Sequence, residues 1–141
     1  MRPYVRKVQY YETDKMGVTH HANYIHWMEE ARIDFMEQLG FPYARMEEAG
    51  VYSPVRSLSC EYRRPCSFGD TVTVFVWAEE VRGAKLTIRY EMKNAEGELL
   101  CTARSEHAFL DREGRIVRMK REMPAFCAAL ESAAAGERED G

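Results

Sequence analysis

Residues 23–42 read NYIHWMEEARIDFMEQLGFP. Within this stretch Tyr24, Trp27, Met28, Ala31, Phe35 and Leu39 recur at spacings of three and four, which places them on one face of a helix. Glu29, Glu30, Arg32, Asp34 and Glu37 fall mainly on the remaining surface. Asn23 is a suitable N-cap, and Gly40 followed by Pro42 supplies a stop, so both limits of the helix are set by the sequence. A second, shorter helical segment follows at residues 43–49.

Toward the C-terminus the helical period gives way to alternation. Leu58, Cys60 and Tyr62 alternate with Ser59, Glu61 and Arg63; Val72, Val74, Val76 and Ala78 alternate with Thr71, Thr73, Phe75 and Trp77. Leu86, Ile88, Tyr90 and Met92 continue the pattern, and residues 99–110 form the last long run. Turn chemistry separates the runs at residues 68–70, 82–84, 94–97 and 111–114, and such short turns predict antiparallel hairpin neighbours. Toward the N-terminus, residues 4–11 read as a short strand and residues 12–22 as a loop with no regular period.

The order of strand, loop, long helix and antiparallel strands is that of an α+β domain in which one sheet covers one helix. Pro124 opens a short terminal helix reaching Leu130, so residues 1–131 form a single domain and residues 132–141 a polar C-terminal tail. Phe75 and Trp77 lie opposite the valine face of their strand, and that second face needs a cover. A partner subunit, a loop or the terminal helix could provide it.

The chain has 141 residues, with 20 Lys and Arg against 23 Asp and Glu, interspersed along its length. This balance argues against a dedicated nucleic-acid partner. No apolar run approaches the roughly 20 residues that cross a bilayer, and MRPYVRKVQYY lacks a secretory apolar core, so no integral membrane role and a cytoplasmic location are expected. Cys60, Cys66, Cys101 and Cys127 show no metal-binding spacing, and the tandem His20 and His21 lack matching ligands; no metal or other cofactor is expected.

The segment YETDKMGVTHHANY at residues 11–24 resembles the active-site signature of the hotdog-fold thioesterases, in the 4-hydroxybenzoyl-CoA thioesterase branch. The matching positions are Asp14, Gly17, Val18, His21, Asn23 and Tyr24. Residues 60–65, CEYRRP, and the Phe68-Gly69-Asp70 turn resemble a second hallmark, and the resemblance spans residues 5–123. In character the chain is similar to the small bacterial acyl-CoA thioesterases of the Tol-Pal system, which carry His at the place of His21 and often an aromatic residue at that of His20.

The resemblance implies a hotdog fold, an antiparallel β-sheet wrapped around one long central helix, that hydrolyses acyl-coenzyme A or an acyl-carrier-protein thioester. It implies that the Asp14 carboxylate comes back toward the helix start, where it would attack the thioester or activate water. Tyr24 would offer its backbone N–H to the carbonyl oxygen, at a helix end whose free amides and dipole favour negative charge. His21 would orient Asp14, touch the substrate or satisfy a loop carbonyl; Gly17, Val18, His20, Asn23, Trp27 and Met28 would surround the substrate. Because family sites form between subunits, a homodimer or homotetramer is expected.

Other readings compete. Asp14 by itself fits a turn residue bonded to its own loop, and Trp27 and Met28 fit plain core. Glu29 or Glu30 could carry the chemistry from the helix. Arg56, Arg63, Arg64, Lys85, Arg89, Arg118, Lys120 or Arg121 could receive coenzyme A phosphates. The non-enzymatic alternative is a module that binds acyl-CoA or acyl-carrier protein without hydrolysing it. A hotdog dehydratase is disfavoured because its His motif leading to Pro-Gly is missing.

Overall fold

Helix α1 spans Ala22–Gln38 and buries Tyr24, Trp27, Met28, Ala31 and Phe35, as the three-and-four spacing predicts, together with Met36, while Leu39 falls on the C-cap and is half-buried. The computed structural model describes the backbone of residues 1–140 and the side chains of residues 1–134. Arg32 departs from expectation: placed by its charge on the outer surface, it is only 5% exposed and lies inside with the apolar residues. Its partners, given below, explain how a guanidinium is tolerated there.

Strands β1 (Tyr4–Lys7), β2 (Val55–Tyr62), β3 (Thr71–Arg82), β4 (Lys85–Lys93) and β5 (Leu99–Ala108) form one antiparallel sheet in the order β1-β3-β4-β5-β2. The α+β hotdog architecture is thus realised. Val72, Val74, Ala78, Leu86, Ile88, Tyr90 and Met92 form the buried side of β3 and β4, as alternation requires. The first strand is shorter than residues 4–11, because Tyr10–Glu12 close into a single 3-10 turn.

β3–β4 and β4–β5 are hairpins, but β2–β3 is not. β2 pairs with β5 at one edge of the sheet, so the segment between β2 and β3 crosses to the far side despite its Gly-Asp turn. Its backbone is held by Val18 against Ser67 and by Thr19 N–H on Cys66 O at 2.8 Å. A turn signal fixes a local reversal; which strand lies alongside is decided by long-range pairing.

Phe75 and Trp77 are half-buried on the outer face and stack on each other at 6.1 Å. Arg89 of β4 lies 4.1 Å above the Trp77 ring and Lys93 lies 5.4 Å above Phe75. Helix α2 spans Tyr43–Glu48, α3 Met119–Glu122 and α4 Pro124–Asp140. α4 therefore runs well past Leu130, as the alanine-rich sequence allows, and buries Phe126, Cys127, Leu130 and Ala134. Phe126 meets Phe41 and Phe109 at centroid distances of 5.0 and 5.5 Å, which docks α4 against the end of the core. Among the described residues no helix is long and apolar enough to cross a membrane.

Candidate active site

Glu12 organises the loop between β1 and α1. It is 3% exposed, and its carboxylate accepts from Arg6 Nη1 at 2.6 Å, Trp27 Nε1 at 2.8 Å and Gln9 N–H at 2.8 Å. Its carbonyl accepts from His20 N–H and from Asn23 Nδ2, both at 2.9 Å. Burial alone would raise its pKa, but the donors of Gln9, Trp27 and Arg6 outweigh burial and hold the carboxyl below its ordinary value. One side chain thus joins β1, the loop and the first turns of α1.

From this anchor the chain makes a tight turn that carries Asp14. Thr13 pairs with Thr19, Asp14 N–H donates to Val18 O at 2.9 Å, and Gly17 N–H donates to Asp14 O at 3.0 Å. Gly17 has φ +79°, a left-handed conformation that a side chain disfavours, so glycine suits the turn. Asp14 is exposed, and its Oδ1 accepts from Met16 N–H at 2.8 Å. The sequence's turn reading of Asp14 therefore describes one of its oxygens.

The helix start differs from expectation in its cap. Asn23 is not the N-cap: His21 occupies that position in a helical conformation, and Asn23 lies inside the first turn. Glu12 O and His20 O attract the Asn23 amide, at 2.9 and 3.2 Å, away from a capping geometry. Ala22 N–H points to His20 Nδ1 at 3.2 Å, and Tyr24 N–H makes a 3.2 Å bond to His21 O. The Tyr24 amide already has this long local acceptor, which an incoming oxygen would have to share or displace.

His20 and His21 stack at 4.3 Å on the exposed side of the helix tip. Tyr62, at the end of β2, donates its hydroxyl to His21 O at 3.2 Å and sets its ring edge against Tyr24 at 5.0 Å. Trp27 is fully enclosed and Val18 lies in the stem of the turn. The structure thus gathers Asp14, Gly17, Val18, His20, His21, Asn23 and Tyr24 on the turn and the helix tip, with Trp27 packed beneath.

A cavity of about 230 Å³ lies beside the next turns of α1, lined by Ile25, His26, Met28, Glu29, Val55, Leu58, Tyr90, Ser105 and His107. Met28 and Glu29 are the candidates from the sequence that line it; Asp14 does not. Among the described residues no three His, Cys, Asp or Glu side chains gather as a metal site would need. Of the basic candidates, Arg63, Arg64, Lys85 and Arg89 pair with Glu61, Glu98, Glu106 and Glu91.

Sequence reasoning missed the polar chain beneath this cavity. Arg32 donates to both oxygens of Glu29, to Ser53 O and Oγ, and to His107 Nδ1 at 3.0 Å. His107 Nε2 lies 2.6 Å from Ser105 Oγ, which lies 2.8 Å from Tyr90 OH. Burial and, next to it, the Arg32 charge push the His107 pKa down to about 3, so the ring is neutral. The available signal was a serine and a histidine on the face of β5 that also carries Cys101, Ala103 and, beyond the strand end, Phe109, all buried.

Residues 8–130 match the family model described as the thioesterase-like superfamily. A Bacillus subtilis protein named acyl-CoA thioesterase YneP is 38% identical over 128 residues, covering 90% of this chain and 93% of the relative. The acyl-CoA thioester hydrolase YbgC of Escherichia coli O157:H7 is 30% identical over 94 residues, covering 67% of this chain and 70% of its own. The crystal structure of a DHNA-CoA thioesterase from Staphylococcus aureus superposes with a TM-score of 0.92 at 33% identity, covering 99% of this chain and 95% of that one. On the fold, the anchored turn and these matches together, the chain belongs to the thioesterase-like superfamily of hotdog-fold thioester hydrolases.

Proposed function

We propose that the protein hydrolyses a small to medium acyl- or aroyl-coenzyme A thioester, with Asp14 as the carboxylate that attacks the carbonyl or activates water. The observation that carries this reading is the double use of Glu12 O by His20 N–H and Asn23 Nδ2, which makes the Asp14 turn and the helix tip one mechanical unit. Tyr24 N–H, freed from its 3.2 Å partner, meets the thioester oxygen, and the helix dipole adds to its pull. His21 sits at the same tip and orients the carboxylate or the substrate. The names of the relatives support coenzyme A as the carrier; an acyl-carrier-protein thioester presents the same carbonyl.

Thiol release from a panel of acyl-CoA esters tests the proposal directly. Turnover of at least one ester is expected, whereas tight binding without thiol release supports the non-catalytic module instead. A second carboxylate reading is favoured by one observation: Glu29 lines the cavity along α1, which Asp14 does not.

The active form is a homodimer or a tetramer built from dimers. β2 is an edge strand whose Val55, Leu58 and Tyr62 are 42%, 42% and 46% exposed, and an apolar edge of this kind calls for a second chain. Asp14, exposed in a single chain, then lies close to a neighbouring helix. Leu58→Arg is expected to shift the protein toward monomer in light scattering, with turnover falling by about tenfold or more; an unchanged oligomer, or a fully active monomer, removes this part of the proposal.

A further inference from the structure

The cavity beside α1 ends on hydroxyl groups whose hydrogens can be counted. Arg32 has no acceptor atoms, so its 3.0 Å contact with His107 makes Nδ1 the acceptor. The other acceptor near that ring nitrogen, Ser53 O, takes Arg32 Nη1 at 3.2 Å. His107 is neutral, so its hydrogen sits on Nε2 and is donated to Ser105 Oγ at 2.6 Å. This direction excludes a serine nucleophile activated by histidine, since the ring gives Ser105 a proton rather than taking one.

Ser105 and Tyr90 then share one hydrogen bond of 2.8 Å but own two hydrogens. Whichever donates, the other O–H has no acceptor among the described residues. Ser105 is 3% and Tyr90 1% exposed, and both line the cavity, whose walls are Ile25, Met28, Val55 and Leu58. Glu29 also lines it, but its carboxylate is ion-paired with Arg32 at 2.8 and 3.1 Å and makes no bond to either hydroxyl. A buried donor facing an apolar cleft is what a site for an acceptor oxygen presents.

We infer that Ser105 and Tyr90 form the polar end of the acyl pocket and select acyl groups that carry a neutral acceptor oxygen beyond the thioester carbonyl. The position suits this role. Met28 lies four residues along α1 from Tyr24, which is about 6 Å of helix rise, so an acyl group leaving the helix tip reaches the cavity within a ring or a short chain. Because Glu29 and Arg32 neutralise each other and His107 carries no charge, a keto, ether or hydroxyl oxygen fits better than a carboxylate. The inference rests on the thioesterase reading for its kinetic test, but not for its binding test.

The experiment compares kcat/KM for 5-oxohexanoyl-CoA against hexanoyl-CoA, and for 4-hydroxybenzoyl-CoA against benzoyl-CoA. The oxygen-bearing member of the better-used pair is expected to lead by about tenfold or more. In the Ser105→Ala/Tyr90→Phe double variant that lead falls to about threefold or less, read as the ratio of the two esters within the same protein. Equal use of both members by the unmodified protein overturns the inference, and this arm does not depend on the variant folding. If no ester releases thiol, the thioesterase reading has failed instead. Calorimetric Kd values for the same four esters then decide the pocket chemistry, with equal affinities overturning it.

Discussion

Asp14→Asn is expected to lower kcat by about a thousandfold or more while leaving thermal stability within a degree or two. The amide keeps an oxygen in the place of Oδ1, so the bond from Met16 N–H at 2.8 Å survives and the turn keeps its shape. What is lost is the negative charge and nucleophilicity that hydrolysis needs at that point, and removal of such a group in other hydrolases costs about four to six orders of magnitude. Single-turnover thiol release separates the chemical step from binding. The companion variant Glu29→Gln distinguishes the carboxylates: a loss of about tenfold or less is expected, because Glu29 is occupied by its ion pair with Arg32. If Asp14→Asn turns over normally and Glu29→Gln is inert, the chemistry belongs to the helix instead.

The second large effect is on folding. Glu12→Ala should destabilise the protein by about 3 to 5 kcal/mol, since it takes from Arg6 its more buried counter-charge, leaving only the half-exposed Glu30 at 3.1 Å, and leaves the Trp27 indole N–H and the Gln9 amide without their acceptor. For a chain of this size the melting temperature is expected to fall by roughly 10 °C or more, and an unchanged melting curve rules out the anchoring role. Activity of whatever remains folded should fall as well, because the Asp14 turn loses its attachment to α1.

The same network makes a pH prediction. The Glu12 carboxyl is held below its ordinary value, so its contribution is complete above the unfolded Glu range near 4.3 and is lost as pH falls through the folded value. His107 acts earlier on the acid side. Its folded pKa of about 3 lies below the ordinary 6.5, so stability is full above 6.5 and declines from there toward 3 as the unfolded chain takes up a proton that the buried ring refuses. Urea midpoints measured from pH 7.5 down to 4 should fall continuously in the unmodified protein. A flat profile across pH 6.5 to 5 contradicts the buried neutral His107.

Much of the architecture was legible in local spacing. Tyr24, Trp27, Met28, Ala31 and Phe35 announced α1, and the alternation around Val74, Ile88 and Cys101 announced the sheet, because the periods of helix and strand are properties of neighbouring residues. The Asp14 turn was equally readable, since Gly17 and the Asx geometry of Asp14 act within five residues. Tertiary structure alone decided three things. It moved β2 to the edge beside β5 and made the segment after it a crossover, since strand partnership depends on pairing across the chain and not on the intervening turn. It drew Asn23 off the cap position, because Glu12 offered a better acceptor eleven residues away. And it buried Arg32, whose contact with His107 spans 75 residues: a charge is placed on the surface by composition, but a partner brought by folding can make the interior tolerable for it.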